Sequence, residues 1–201
     1  MSYLCLILKM FSKNLILISR ERERERELSD SRRKRGFTLI ELLVVISIIG
    51  FLATFSIVAF NSARMKARDA RRIADMVQIQ KALALYYDSN NQYPSNTDND
   101  CSGWDTGYYG SGDTFISPLV SAKVMGKVPG DPVFTSQCGG YGYYRYSAGA
   151  YGCDSAKGAF FVLDVANMET SGNPYPGSPG WSCPSRNWQN EFDWVVGDFE
   201  K

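Results

Sequence analysis

From Phe37 to Phe60 the chain is an almost unbroken run of Ile, Leu, Val, Phe and Ala, with one charged side chain, Glu41. About 20 such residues span a bilayer core, so the run predicts a transmembrane helix by its length alone. From Asn61 the composition turns charged, yet a helical spacing continues. Ile73, Val77, Gln80, Leu83 and Tyr87 fall at three- and four-residue steps, with Met76 and Ile79 flanking the stripe. No Gly or Pro interrupts Phe51 to Asn90. One continuous helix is therefore predicted from about Phe37 to about Asp88, its first half suited to lipid or other helices and its second to a soluble domain. Ser89-Asn90-Asn91 and Pro94 stop it.

Beyond Pro94 the pattern changes. Helical spacing is weak except at Phe115–Lys123, while Tyr141–Tyr146, Ala159–Val165 and the shorter Asp193–Val196 read as strands. Ser171–Ser185 is dense in Gly and Pro and reads as an irregular loop. A long helix followed by strands implies an α+β fold, the helix covering one face of a small antiparallel sheet. The expected organisation is a leader over 1–36, a transmembrane helix over 37–60, its amphipathic continuation over 61–90, and a β-rich globular domain over 91–201.

Charge divides the chain further. Overall it carries 22 basic and 21 acidic residues. Residues 1–36 hold 10 Lys/Arg and 5 Asp/Glu, which leaves 12 basic and 16 acidic residues in the body. A basic leader before a mildly acidic body suggests targeting. No basic patch with interleaved aromatics occurs in the body, so nucleic acid is not an expected partner. Lysines break the apolar start, and Arg20–Glu27 is a low-complexity Arg-Glu repeat, so the true start is expected downstream, for example at Met10 or near Leu28.

Histidine is absent, which removes His-based triads, His general bases and His-ligated zinc. Cys101, Cys138, Cys153 and Cys183 lie in the C-terminal half without a C-x-x-C knuckle. Such spacing in a Gly-, Tyr- and Ser-rich body favours two disulfides in an oxidising compartment, with three pairings open.

The most informative run is Arg32-Arg33-Lys34-Arg35-Gly36-Phe37-Thr38-Leu39-Ile40-Glu41-Leu42-Leu43. It resembles the N-terminal signature of type IV prepilins and type II secretion pseudopilins: a basic leader ending in Gly, then a methylated Phe, and a Glu fifth in the mature chain. The likeness is close from Gly36 to about Asn61 and looser to Tyr93-Pro94. Four basic residues hold a leader on the cytoplasmic face. Gly36 leaves the scissile backbone open to a protease at the membrane surface. An ionisable group such as Glu41 at membrane depth costs several kcal/mol and implies a function.

The resemblance implies the rest. Prepilin peptidase cuts after Gly36, Phe37 is N-methylated, and Glu41 pairs with the Phe37 amine of a neighbouring copy to set axial register. The fold is pilin-like. Partners are further copies of the chain in a filament, minor pseudopilins, and an inner-membrane assembly platform with its ATPase. The C-terminal domain lies outside the inner membrane on a single-pass anchor, and the protein is a filament subunit without enzymatic activity. The Pro129-Gly130-Asp131-Pro132 turn is similar to the Asp-Pro turn of G-like pseudopilins, the kind favoured. The competing expectation is a signal-anchored extracytoplasmic binding module, left uncleaved at Gly36.

Three weaker signals remain. Asp98-Asn99-Asp100-Cys101-Ser102-Gly103 matches the first half of a calcium loop, but Tyr109 stands where a bidentate Glu should close it. A metal-free turn is the simpler expectation. Calcium through Asp98 and Asp100, or through Asp193 and Asp198 as equivalents of acids in G-like pseudopilins, is the alternative. Tyr141, Tyr143, Tyr144, Tyr146 and Tyr151, with Trp181, Trp188 and Trp194, are expected in core or subunit contacts. Arg64, Lys66, Arg68, Arg71 and Arg72 are expected to form a solvated face near lipid headgroups; the alternative pairs them with acids of neighbouring subunits.

Overall fold

A computed structural model describes residues 36–97, 101–108, 110, 114–136 and 138–201. Helix α1 spans Leu39–Asn90, close to the expected bounds. The chain divides between Thr54 and Phe55 into two units, taken in turn.

In the first unit every residue of α1 is exposed, so Leu42, Ile46, Ile49 and their neighbours present apolar side chains to their surroundings. The polar side chains turn inward on the backbone. Ser47 Oγ donates to the Val44 carbonyl at 2.8 Å and Thr54 Oγ1 to the Phe51 carbonyl at 2.7 Å. Hydroxyls satisfied in this way can enter hydrocarbon without an orphaned donor. The helix is long and apolar enough to cross a membrane.

The second unit has the expected α+β layout. An antiparallel sheet runs in the order β1 (Asp105–Gly107), β2 (Tyr141–Tyr146), β3 (Phe160–Val165), β6 (Trp194–Phe199). Tyr143 pairs with Leu163, and Leu163 with Val196. A short helix α2 (Ser117–Ser121) lies between β1 and β2. A two-stranded ribbon, β4 (Ser182–Cys183) with β5 (Arg186–Asn187), lies between β3 and β6.

Alternation along the strands builds two cores. On one face Tyr141, Tyr143, Phe161, Leu163, Val165 and Trp194 pack with Met76, Ile79 and Leu83 of α1 and with Phe115, Ile116 and Leu119. On the other, Tyr146, Phe160, Val162 and Val195 pack with Trp188 and with Cys153 and Cys183. Both faces of β3 are buried, which explains its near-continuous apolar sequence.

Two expectations need correction here. The buried stripe of α1 is Asp69, Arg72, Asp75, Met76, Ile79, Ala82 and Leu83, whereas Val77 is exposed. The stripe is rotated because three charged residues share it. Nor is Ser171–Ser185 wholly irregular: it reaches into β4 and lays Trp181 over β6. A Cβ at Gly197 would stand 2.4 Å from the Trp181 ring, so only glycine admits that close approach.

Candidate functional site

Helix α1 begins with a reciprocal pair. Thr38 donates its N–H and its hydroxyl to Glu41 Oε2, both at 2.9 Å, and Glu41 N–H donates to Thr38 Oγ1 at 3.2 Å. This is a capping box, which satisfies donors that a helix start leaves open. Its sequence signal is Thr-x-x-Glu at 38–41. Gly36 and Phe37 are exposed. The leader charges Arg32, Arg33, Lys34 and Arg35 lie outside the described residues.

Farther along α1, the basic cluster is divided. Arg64 and Lys66 are exposed. Arg71 is exposed and 3.8 Å from Asp75. Arg72, however, is fully buried, contrary to a solvated face. Its Nε and Nη2 donate to Asp131 at 2.7 and 3.2 Å, and its Nη1 donates to Asp69 at 2.7 Å and Glu169 at 2.8 Å. Arg68 adds an Nε bond to Glu169 at 2.7 Å and a second from its Nη2. Asp69 also accepts from the Thr170 hydroxyl and from the N–H groups of Glu169 and Thr170. The guanidinium fork thus joins α1 to two loops, because its planar donors can meet several carboxylates at once. Asp131 completes its own turn by accepting from the Val133 and Phe134 N–H groups at 2.8 and 2.9 Å. That Asp-Pro turn precedes an irregular segment and not a strand; β2 starts only at Tyr141.

Electrostatics follow from this geometry. The Arg68 hydrogen bond, aided by Arg72, holds the Glu169 carboxyl down to about 2 against an ordinary value of 4.5. Burial pushes Asp69 up, but its hydrogen bonds from Thr170, Glu169 and Arg72 outweigh that and leave it lowered. Both carboxylates therefore stabilise the fold above their unfolded values, and the contribution is lost as pH falls through the folded ones. The urea midpoint is expected to drop between about pH 5 and about pH 2, and Glu169→Gln to flatten that slope. A Glu169→Gln protein with the wild-type slope would contradict the assignment.

The four C-terminal cysteines form Cys101–Cys138 and Cys153–Cys183. The first ties the segment before β1 to the approach to β2, and the second ties the segment after β2 to β4. Among the described residues no group of three or more His, Cys, Asp or Glu side chains could hold a metal ion. Asp193 accepts from the Met168 N–H at 2.6 Å, while Asp198 is exposed on β6. Asp98 and Asp100 lie outside the described residues. The tyrosines divide by strand alternation: Tyr141 and Tyr143 face α1, Tyr144 and Tyr146 the second core. Asp164 was not singled out from sequence, although a lone acid inside Phe160–Val165 is a readable signal. It is almost fully buried.

Comparison with known proteins bears on the first of these features. Residues 31–57 match the family model described as the prokaryotic N-terminal methylation motif. The N-terminal segment is thus of the prepilin type. Within that class the similarity is to type II secretion system core protein G, at 41% identity over 63 residues with that of Pectobacterium carotovorum and 39% over 64 with that of Aeromonas hydrophila. These matches cover 31% and 32% of this chain, and 40% and 45% of the relatives. The chain therefore spans less than half the length of these curated relatives. The type IV major fimbrial protein FimA of Dichelobacter nodosus is 35% identical over 99 residues, 46% of this chain and 54% of that protein. No solved structure matches.

Proposed function

We propose that this chain is a structural subunit of a type II secretion pseudopilus or a type IV pilus-like filament, made as a membrane-anchored precursor and cut after Gly36. The observation that carries the reading is the combination of Gly36, Phe37 and Glu41 at the head of an exposed apolar helix whose far half is built into a disulfide-bonded α+β domain. The motif match and the G-like relatives support it.

In this mechanism prepilin peptidase frees the Phe37 amine, which is then methylated. Subunits wait in the inner membrane with the C-terminal domain outside. An ATP-driven platform extracts them, assisted by minor pseudopilins, and the helices bundle. Work comes from the platform, so the chain needs no catalytic group. Glu41 of an incoming copy pairs with the Phe37 amine of its neighbour; such a pair fixes register more reliably than it adds stability.

Intact-mass and N-terminal sequencing of membrane-derived protein, with and without an active prepilin peptidase, tests the reading. The expected product starts at N-methylated Phe37 and disappears when the peptidase is inactive. A chain left uncut at Gly36 would favour the anchored binding module. Glu41→Gln, which retains polar capping atoms, is expected to be cleaved normally while filament yield in sheared fractions falls at least tenfold. Wild-type yield would remove Glu41 from assembly.

A further inference from the structure

The sheet face turned away from α1 carries a cavity of about 250 Å³, lined among others by Trp104, Gly142, Asp164, Arg186, Glu191 and Phe192. Glu191 is exposed and Arg186 half-buried, so the cavity can be reached from solvent. Asp164, on the central strand β3, belongs to its lining, and its Oδ2 is buried without a hydrogen-bond partner. A buried polar atom left unmatched costs about 1–3 kcal/mol, more when charged, and calls for an explanation. The cross-strand partner of Asp164 is Gly142. A Cβ there would lie 2.4 Å from Asp164 Oδ2, so the glycine leaves the carboxyl room.

Arg186 is the one cation lining the cavity among the described residues, and it is engaged elsewhere. Its Nε and Nη2 donate to Glu191 at 2.8 and 2.7 Å, and its Nη1 to the hydroxyls of Tyr146 and Tyr151. The lining thus holds two acids against one occupied base. Burial pushes the Asp164 carboxyl well above its ordinary range, Glu191 adding to the effect and Arg186 opposing it. Trp104 and Phe192 meet edge to face with ring centroids 5.2 Å apart, and an indole is the ring best suited to hold a cation.

We propose that this cavity binds the ammonium head of a primary amine, either a free amine or a lysine side chain, with Asp164 as its counter-charge and Trp104 as its aromatic wall. The ammonium supplies the donor that Asp164 lacks and the positive charge that favours its ionised form, which burial alone disfavours. On binding, the carboxyl proton passes to solvent. The aromatic lining takes the first methylene groups.

The test is titration of the full-length protein in detergent micelles, read by tryptophan fluorescence. Probes are n-butylammonium, the neutral 1-butanol, and N-acetyl-lysine methylamide. A saturable change with n-butylammonium and none with 1-butanol is expected. Binding should weaken at least tenfold in Asp164→Asn and several-fold in Trp104→Leu. Equal response to 1-butanol, no saturable response to n-butylammonium, or an unchanged midpoint in folded Asp164→Asn would overturn the proposal. The wild-type comparison of amine and alcohol decides even if a variant fails to fold. Comparable binding of the lysine analogue assigns the site to a protein side chain, and binding of n-butylammonium alone assigns it to a small amine. The site is independent of the filament reading, since leader cleavage and amine binding are scored separately.

Discussion

Arg72→Met is expected to destabilise the C-terminal domain by about 3–5 kcal/mol, the usual cost of removing one partner from a buried ion cluster. On a domain of this size that lowers the melting midpoint by roughly 10 °C or more, as followed by near-ultraviolet circular dichroism of detergent-solubilised protein. The reason is geometric. Arg72 is fully buried and answers Asp69, Asp131 and Glu169 together, so its loss leaves carboxylates facing one another without a counter-charge. Their charge is the damaging element, more than any lost attraction. Asp69→Asn and Asp131→Asn added to Arg72→Met should therefore recover part of the loss, and their failure to do so would show that packing dominates. Arg72→Lys should stay well below wild type, because an ammonium cannot reproduce a fork that donates from three nitrogens.

The second large effect is expected from Cys153→Ala with Cys183→Ala. The bridge closes a sequence separation of 30 residues, for which chain entropy gives about 3–4 kcal/mol. It also pins the segment that roofs the second core, where Trp188 is fully buried between Tyr146, Tyr151 and Phe160. Two readouts should move together: the melting midpoint falls, and tryptophan emission shifts to the red as Trp181 and Trp188 meet water. A lower midpoint with unchanged emission would mean that the bridge acts through the unfolded chain alone.

What the sequence disclosed was governed by whether a residue's environment is local. The apolar run and the absence of Gly and Pro through Asn90 are local properties, and α1 follows them. The Tyr141–Tyr146 and Phe160–Val165 strands were legible for the same reason, their β-branched and aromatic content being dense. β1, β4 and β5 are too short to show any period. The burial of Asp69, Arg72 and Asp75 was hidden because charged residues in a helix ordinarily face water. Distant partners make it tolerable, the loops at Asp131 and Glu169 for Asp69 and Arg72, and the Tyr141 hydroxyl for Asp75. The second aromatic core was hidden likewise, since its roof is a loop without regular pattern. At the N-terminus, Gly36, Phe37 and Glu41 stood out by spacing, while Thr38 was read only as part of the run.

The Thr38–Glu41 capping box has a bearing on how a lone chain behaves in a bilayer. The Thr38 and Glu41 amides are already answered by the chain's own side chains, so part of the cost of carrying Glu41 at membrane depth is offset before any companion arrives. In a filament of the proposed kind, docking then becomes a trade of one set of bonds for another of similar worth. A trade of that sort favours a standing reservoir of single molecules over spontaneous clumping. Growth would then begin when the proposed platform supplies work.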